Sequence, residues 1–173
     1  RQMCIRDRFS GFVEPLLDKK IFDHIYNFKK SLPKVRVEVV SNGDPLNLNR
    51  LKKLFDSGLD KLLISAYDGK EDVIKFQKLV DECKLNKDQY IIRDRSLPEE
   101  ENFGITLSNR SGMMENADFK IPSLKSPLNN PCYIPSYTLF FDYLGDVLMC
   151  PHDWGKKIIL GNLSLKIFII INM

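Results

Sequence analysis

The chain has 173 residues, 43% hydrophobic and 28% charged, with 26 basic against 23 acidic side chains and a formal net charge of +3. That length can bury one core plus an appendage, and so small and interspersed a charge gives no electrostatic case for nucleic acid or a membrane surface. Four scattered cysteines and no secretory leader pattern point to a reducing cytoplasm rather than a disulfide scaffold, and the longest apolar run, Ile167 to Ile171, is far too short to cross a bilayer.

Both ends look unnatural. Residues 1–8, RQMCIRDR, have no periodicity and no fit to the residues after them, so they read as a non-native scar that includes Cys4. The other end, LSLKIFIIINM, stops inside a β-prone apolar run and reads as a truncation, so the chain is expected to be a fragment.

From Phe9 to about Arg95, short β-branched runs alternate with amphipathic stretches, the pattern of βα units around a parallel sheet. A strand is expected at Phe9-Ser10. Leu17, Ile21, Ile25, Phe28 and Leu32 then recur at helical spacing, with Asp18 placed to cap the start and Leu32-Pro33 to end it. Val35 to Val40 is the next strand. Leu48, Leu51 and Phe55 mark a second helix closed by Gly58, Leu62 to Ile64 a third strand, Val73, Phe76, Val80 and Cys83 a third helix, and Tyr90 to Ile92 a fourth strand. Ser96 to Asn130 is rich in Pro, Asn and Ser, as a connecting stretch would be. A hairpin comes next, Tyr137 to Phe141 and Val147 to Met149 around the turn from Asp142 to Asp146, with a domain boundary near residue 120.

Ligands of parallel βα folds sit beyond the carboxyl ends of the strands. The segments there are Gly11-Phe12-Val13-Glu14-Pro15, Ser41-Asn42-Gly43, and Ser65-Ala66-Tyr67-Asp68-Gly69. Each alone reads as ordinary turn chemistry. Further on, Cys132 is followed after twelve residues by Gly145 and after four more by Cys150, with Leu160-Gly161-Asn162 beyond. Two thiols set across a hairpin can converge on zinc or an iron-sulfur cluster, or be buried structural cysteines.

In this order and combination the segments resemble the radical S-adenosylmethionine (radical SAM) superfamily, and the cysteine spacing resembles the opening half of a SPASM domain, its auxiliary iron-sulfur module. The resemblance runs from Phe9 to Leu163 and implies an α/β fold, a partial (β/α)6 barrel over residues 9–120 followed by the β-hairpin of a truncated SPASM domain over 121–173. It implies reductive cleavage of S-adenosylmethionine to a 5'-deoxyadenosyl radical that takes hydrogen from a peptide, protein or small-molecule substrate, with an external electron donor. Glu14 and neighbouring carbonyls would take the methionyl ammonium; Ser41, Asn42 and Ser65 would lie near the ribose or carboxylate; Gly11, Pro15 and Gly43 would shape the same loops. Val13 stands where the family has Gly. Ser108 to Gly112 is also similar to a family segment, with Arg110 able to pair with a carboxylate. Cys132 and Cys150 would be ligands of an auxiliary [4Fe-4S] cluster, half-built because two cysteines do not complete a four-ligand site. The three-cysteine loop of the catalytic cluster is absent from this sequence, so no catalytic residue is assigned and the chain alone is expected to be inactive. The alternative is a non-catalytic zinc- or iron-sulfur-binding α/β module. A nucleotide-binding domain ranks last, because no glycine-rich phosphate loop opens a helix.

Overall fold

The computed structural model describes residues 6–96, 115, 122–123, 125–126, 129–163 and 167–168; Cys4 and the segment 108–112, with Arg110, lie outside the described residues. The chain divides into two compact units, Arg1–Thr106 and Leu107–Met173.

The first unit is a parallel sheet of strands β1 (Arg6–Phe9), β2 (Arg36–Ser41), β3 (Lys61–Ala66) and β4 (Tyr90–Asp94), in the spatial order of the sequence. Helices α1 (Ile21–Ser31), α2 (Leu48–Asp56) and α3 (Lys70–Glu82) make the crossovers. Right-handed crossovers between strands added always on the same side put every helix on one face. The core has that form. Ile21 and Ile25 from α1, Leu51 and Leu54 from α2, and Phe76 and Val80 from α3 pack with Val37, Val39, Leu62, Ile64 and Ala66 of the sheet. Each fully buried aliphatic side chain here contributes about 1.5–3 kcal/mol of transfer free energy.

Local chemistry sets the boundaries. Asn47 caps α2 by accepting from the Arg50 N–H at 2.9 Å, and Gly58, at φ +101°, turns the chain out of it. Asp18 accepts from the Lys20 N–H at 2.8 Å before α1, while Leu17 belongs to a short 3-10 turn, Pro15–Leu17, and is exposed. Cys83 packs against the helix-side core, and burial pushes its thiol pKa up. His24, on the flank of α1, pairs with Asp18 at 3.2 Å.

One expectation about the sheet is corrected. Arg6 to Arg8, read as part of a stretch with no fit to the rest, forms most of β1, in register with Arg36 to Glu38. An edge strand written Arg-Asp-Arg-Phe carries no hydrophobic alternation to betray it. What holds it is charge: Arg6 and Arg8 lie beside Glu38 of the neighbouring strand.

The second unit contains a four-stranded antiparallel sheet, β5 (Phe140–Phe141), β6 (Asp146–Leu148), β7 (Ile159–Asn162) and β8 (Ile167–Phe168), in sequence order. Leu160-Gly161-Asn162 makes up most of strand β7, with Asn162 opposite Asp146. The fold is therefore mixed α/β, a parallel and an antiparallel sheet in separate units. Among the described residues, no helix is long and apolar enough to cross a membrane.

Candidate functional site

The carboxyl ends of β1 to β4 lie along one edge of the parallel sheet, so the loops after them share that edge. Glu14 joins two of them. Its Oε1 accepts from the Leu16 N–H at 3.0 Å and its Oε2 from the Asn42 N–H at 2.8 Å. One half-buried carboxylate thus locks the Gly11–Pro15 loop to the end of β2. An ionised carboxylate has about four acceptor positions, and these two bonds leave the others open to a ligand donor.

The Ser41-Asn42-Gly43 turn is shaped from within. The Ser41 Oγ accepts from the Gly43 N–H at 2.9 Å, and Asn42 closes an Asx turn by accepting from the Asp44 N–H at 3.1 Å. Gly43 sits at φ +84° against Phe76, where a Cβ would lie 2.3 Å from the ring. Only glycine fits there.

Register separates residues that the sequence groups together. Ser41 pairs with Ile64 and so faces the helices, whereas Ser65, one residue later on β3, emerges on the other face. Ser65 is buried and stands in register with Arg93 of β4. Pro15 is buried at the start of the 3-10 turn, while Gly11, at φ +120°, and Val13 are exposed.

The helix-free face is charged, which is unusual for a parallel sheet. Arg8, Glu38, Lys61 and Arg93 all lie on it. Glu38 is 2% exposed and shared by three guanidinium groups: Arg8 at 2.7 Å, Arg36 at 3.2 Å and Arg6 at 3.3 Å. Arg93 has no hydrogen-bond or ion-pair partner among the described residues, and burial, with the nearby charges of Arg95 and Arg8, lowers its pKa. Neither Glu38 nor Arg93 stood out in the sequence as a site residue. The signal was a charge that follows branched aliphatic residues in each of two strands, Glu38 in RVEVVS and Arg93 in YIIRD, at positions whose pairing parity is the same.

In the second unit Cys132 is exposed, and Cys150 is half-buried with its Sγ accepting from the His152 N–H at 3.4 Å. Among the described residues no group of three or more His, Cys, Asp or Glu side chains is placed to hold a metal ion. The donor set does not fit a four-ligand cluster. What organises this unit is an ion network: Asp142, whose side chain is inaccessible, pairs with Lys156, and Lys156 also reaches Asp146 at 3.3 Å. Burial would raise the Asp142 pKa, but hydrogen bonds from Lys156 and from the N–H groups of Asp146 and Leu144 outweigh it and hold the carboxyl below its ordinary value.

No family model matches the chain. Among curated proteins it is similar to the S-adenosyl-L-methionine-dependent 2-deoxy-scyllo-inosamine dehydrogenase of Niallia circulans, at 30% identity over 160 residues, covering 92% of this chain and 58% of that protein. Among solved structures it resembles BtrN in complex with AdoMet and 2-DOIA, with TM-score 0.71, 28% identity, and coverage of 93% of this chain and 58% of that one. A second BtrN structure, in an open conformation, matches with TM-score 0.61 and 21% identity over 93% of this chain and 55% of that one. The chain thus spans a little over half the length of the proteins it matches.

These similarities correct the recognition drawn from the cysteine spacing. The SPASM domain and the truncation to a fragment find no support, and the described residues around Cys132 and Cys150 form no iron-sulfur or zinc site, whereas the S-adenosylmethionine part of that reading agrees with the likeness to a dehydrogenase dependent on the same molecule. The spacing misled because a hairpin fixes which strands pair, not where two side chains near its ends point. Over nearly all of its length, the chain is similar to a dehydrogenase that depends on S-adenosyl-L-methionine.

Proposed function

We propose that the chain binds S-adenosylmethionine in the oxidation of a small hydroxylated molecule. The observation that carries this is the Glu14 carboxylate tied to Asn42 at the carboxyl edge of the parallel sheet, in a chain 30% identical to a dehydrogenase dependent on the same cofactor. The sheet is read as an arc of a (β/α)6 barrel, since strands in sequence order with all helices outside leave a helix-free inner face.

The residues fit the cofactor's polar end. Glu14 has acceptor capacity left for an ammonium, and the loops at Gly11 and Gly43 bring main chain close to the same edge. Ser41 and Pro15 hold those loops in shape, Asn42 and Ser65 offer polar groups to a ribose, and Arg110 is a candidate for a carboxylate. When bound and reduced by one electron, S-adenosylmethionine supplies a carbon-centred radical able to take hydrogen from a carbinol carbon. The chain's own task is to hold cofactor and substrate in reach of each other and keep water out. An electron donor supplies the first electron, and the carbinol radical left by hydrogen abstraction then gives one electron to an acceptor and its hydroxyl proton to a base, which yields the carbonyl. No step is assigned to an iron-sulfur cluster, because the cysteines among the described residues do not fit one.

Calorimetric titration with S-adenosylmethionine tests the reading. Binding is expected, with Glu14→Ala weakening it at least tenfold, and a folded chain with no detectable affinity would overturn it.

A further inference from the structure

Two main-chain donors fix the Glu14 carboxylate, and one of them is itself fixed by a side chain from a different βα unit. Leu16 has a fully buried side chain, and both of its main-chain polar groups are occupied. Its N–H donates to Glu14 Oε1 at 3.0 Å, and its carbonyl accepts from the guanidinium of Arg50. Arg50 belongs to α2, so that bond crosses 34 positions of sequence. Glu14 and Arg50 thus hold the same residue from its two ends.

Arg50 stands where local rules disfavour it. It is in the first turn of α2, where the helix dipole opposes a positive charge. Its Nε is cut off from solvent and has no hydrogen-bond partner among the described residues, which is costly for a charged donor. The guanidinium lies 5.7 Å from the centre of the Phe22 ring, but Lys53 lies over the same ring at 4.5 Å, so stacking alone does not call for a second cation. The bond to the Leu16 carbonyl does call for one with this reach. A side chain that breaks local rules for one long-range bond points to a demand of the site that the bond serves.

We propose that Arg50 is a positioning residue for S-adenosylmethionine. By holding the Leu16 carbonyl it keeps the Leu16 N–H aimed at Glu14, and so sets the direction of the carboxylate that takes the cofactor's ammonium. A carboxylate reads an ammonium through directed, charge-assisted hydrogen bonds, and a displacement of about 1 Å weakens them although the charge is unchanged. The inference deepens the proposed function and rests on that reading. Arg50 acts through Leu16 and Glu14, not by contact with the ligand.

The test titrates S-adenosylmethionine calorimetrically into the parent chain, Glu14→Ala, Arg50→Met, Arg50→Lys and the double variant of Glu14→Ala with Arg50→Met. Alongside it, amide exchange is followed at the Asn42 N–H, which donates to the other oxygen of Glu14, and at the Ile64 N–H inside the sheet. Arg50→Met is expected to weaken cofactor binding at least fivefold, and Arg50→Lys, which keeps a donor for the carbonyl, by less. In the Glu14→Ala background Arg50→Met should cost less than a further twofold, because the group it positions is gone. Exchange at Asn42 should rise at least fivefold in Arg50→Met while exchange at Ile64 stays within twofold. If Arg50→Met does not fold, Arg50→Lys carries the same cycle, with its loss of affinity expected only where Glu14 is present. Affinity within twofold of the parent in Arg50→Met overturns the inference. So do costs that add in the double variant, exchange at Asn42 that does not change, or exchange that rises equally at Asn42 and Ile64, since Arg50 would then be a plain structural staple. A parent chain that binds no cofactor overturns the proposed function instead, and the exchange pair alone then decides whether Arg50 positions Glu14.

Discussion

Glu14 and Asn42 are 28 positions apart in sequence, and the carboxylate of one accepts the backbone N–H of the other at 2.8 Å. The same carboxylate accepts the Leu16 N–H, so a single side chain satisfies two main-chain donors on different βα units. Glu14→Ala leaves both without that acceptor. The expected cost is about 2–3 kcal/mol, a partly exposed pair of charge-assisted hydrogen bonds, with Glu14→Gln costing about 1 kcal/mol because one amide oxygen can still accept. Urea unfolding of the three proteins checks it, and equal midpoints for Ala and the unaltered chain would count against the clamp.

Gly43→Ala is expected to destabilise by about 2–4 kcal/mol. It places a Cβ 2.3 Å from the Phe76 ring at a positive φ, combining strain with overpacking. Shortening the neighbour by Phe76→Leu should recover part of the packing loss but none of the backbone strain. A double-mutant cycle measures the coupling, and purely additive costs would show that the ring is not the obstacle.

Glu38→Gln removes the one negative charge among Arg6, Arg8 and Arg36. The three arginine side chains are 40–55% exposed, so solvent screens much of the repulsion and the expected cost is about 1–3 kcal/mol. Added salt should narrow the gap between variant and parent. A difference that does not respond to salt would mean a cause other than electrostatics.

The Asp142–Lys156 pair makes the second unit sensitive to both extremes of pH. The Asp142 pKa is depressed on folding, so its stabilisation is present above the ordinary carboxylate value and is lost as pH falls through the lower folded value. The Lys156 pKa is raised, chiefly by the hydrogen bond to Asp142, so its share is present below the ordinary lysine value and is lost as pH rises through the higher folded one. Amide exchange at the Asp146 and Leu144 N–H groups should therefore be slowest, after correction for intrinsic rates, between those limits. Asp142→Asn should abolish the acid-side change, and an unaltered acid limb would rule the pair out as its source.

The regular part of the fold was legible because helix and strand periods differ. Leu62 and Ile64 sit in a continuous apolar run, Val37 and Val39 stand two apart in a β-branched strand, and Ile21, Ile25, Leu51 and Leu54 recur at helical spacing; all meet in the core. The strand-end loops were legible for the same reason, since a parallel sheet gathers them on one edge, and Glu14 and Asn42 do meet there. β1 was not, because its charges are held by Glu38 of another strand, a long-range pairing that local pattern cannot carry. Arg93 was overlooked because Tyr90-Ile91-Ile92 looked like the whole of β4, which continues to Asp94. Ser41 and Ser65 looked equivalent until register placed them on opposite faces. The cysteine pair failed differently: a count of residues between thiols says nothing about the rotamers that must bring them together.

The order of the parallel sheet has one more effect. Its two outermost members among the described residues, β1 and β4, hold the ionic residues Arg6, Asp7, Arg8, Arg93 and Asp94, and the inner pair, which carries Arg36, Glu38 and Lys61, is more aliphatic. Strands at the rim of a sheet offer unused main-chain donors and acceptors to any passing chain, and repelling side chains are a common safeguard. Neutralising Arg6 and Arg8 together would therefore remove a barrier to lateral self-association as well as a tie to Glu38.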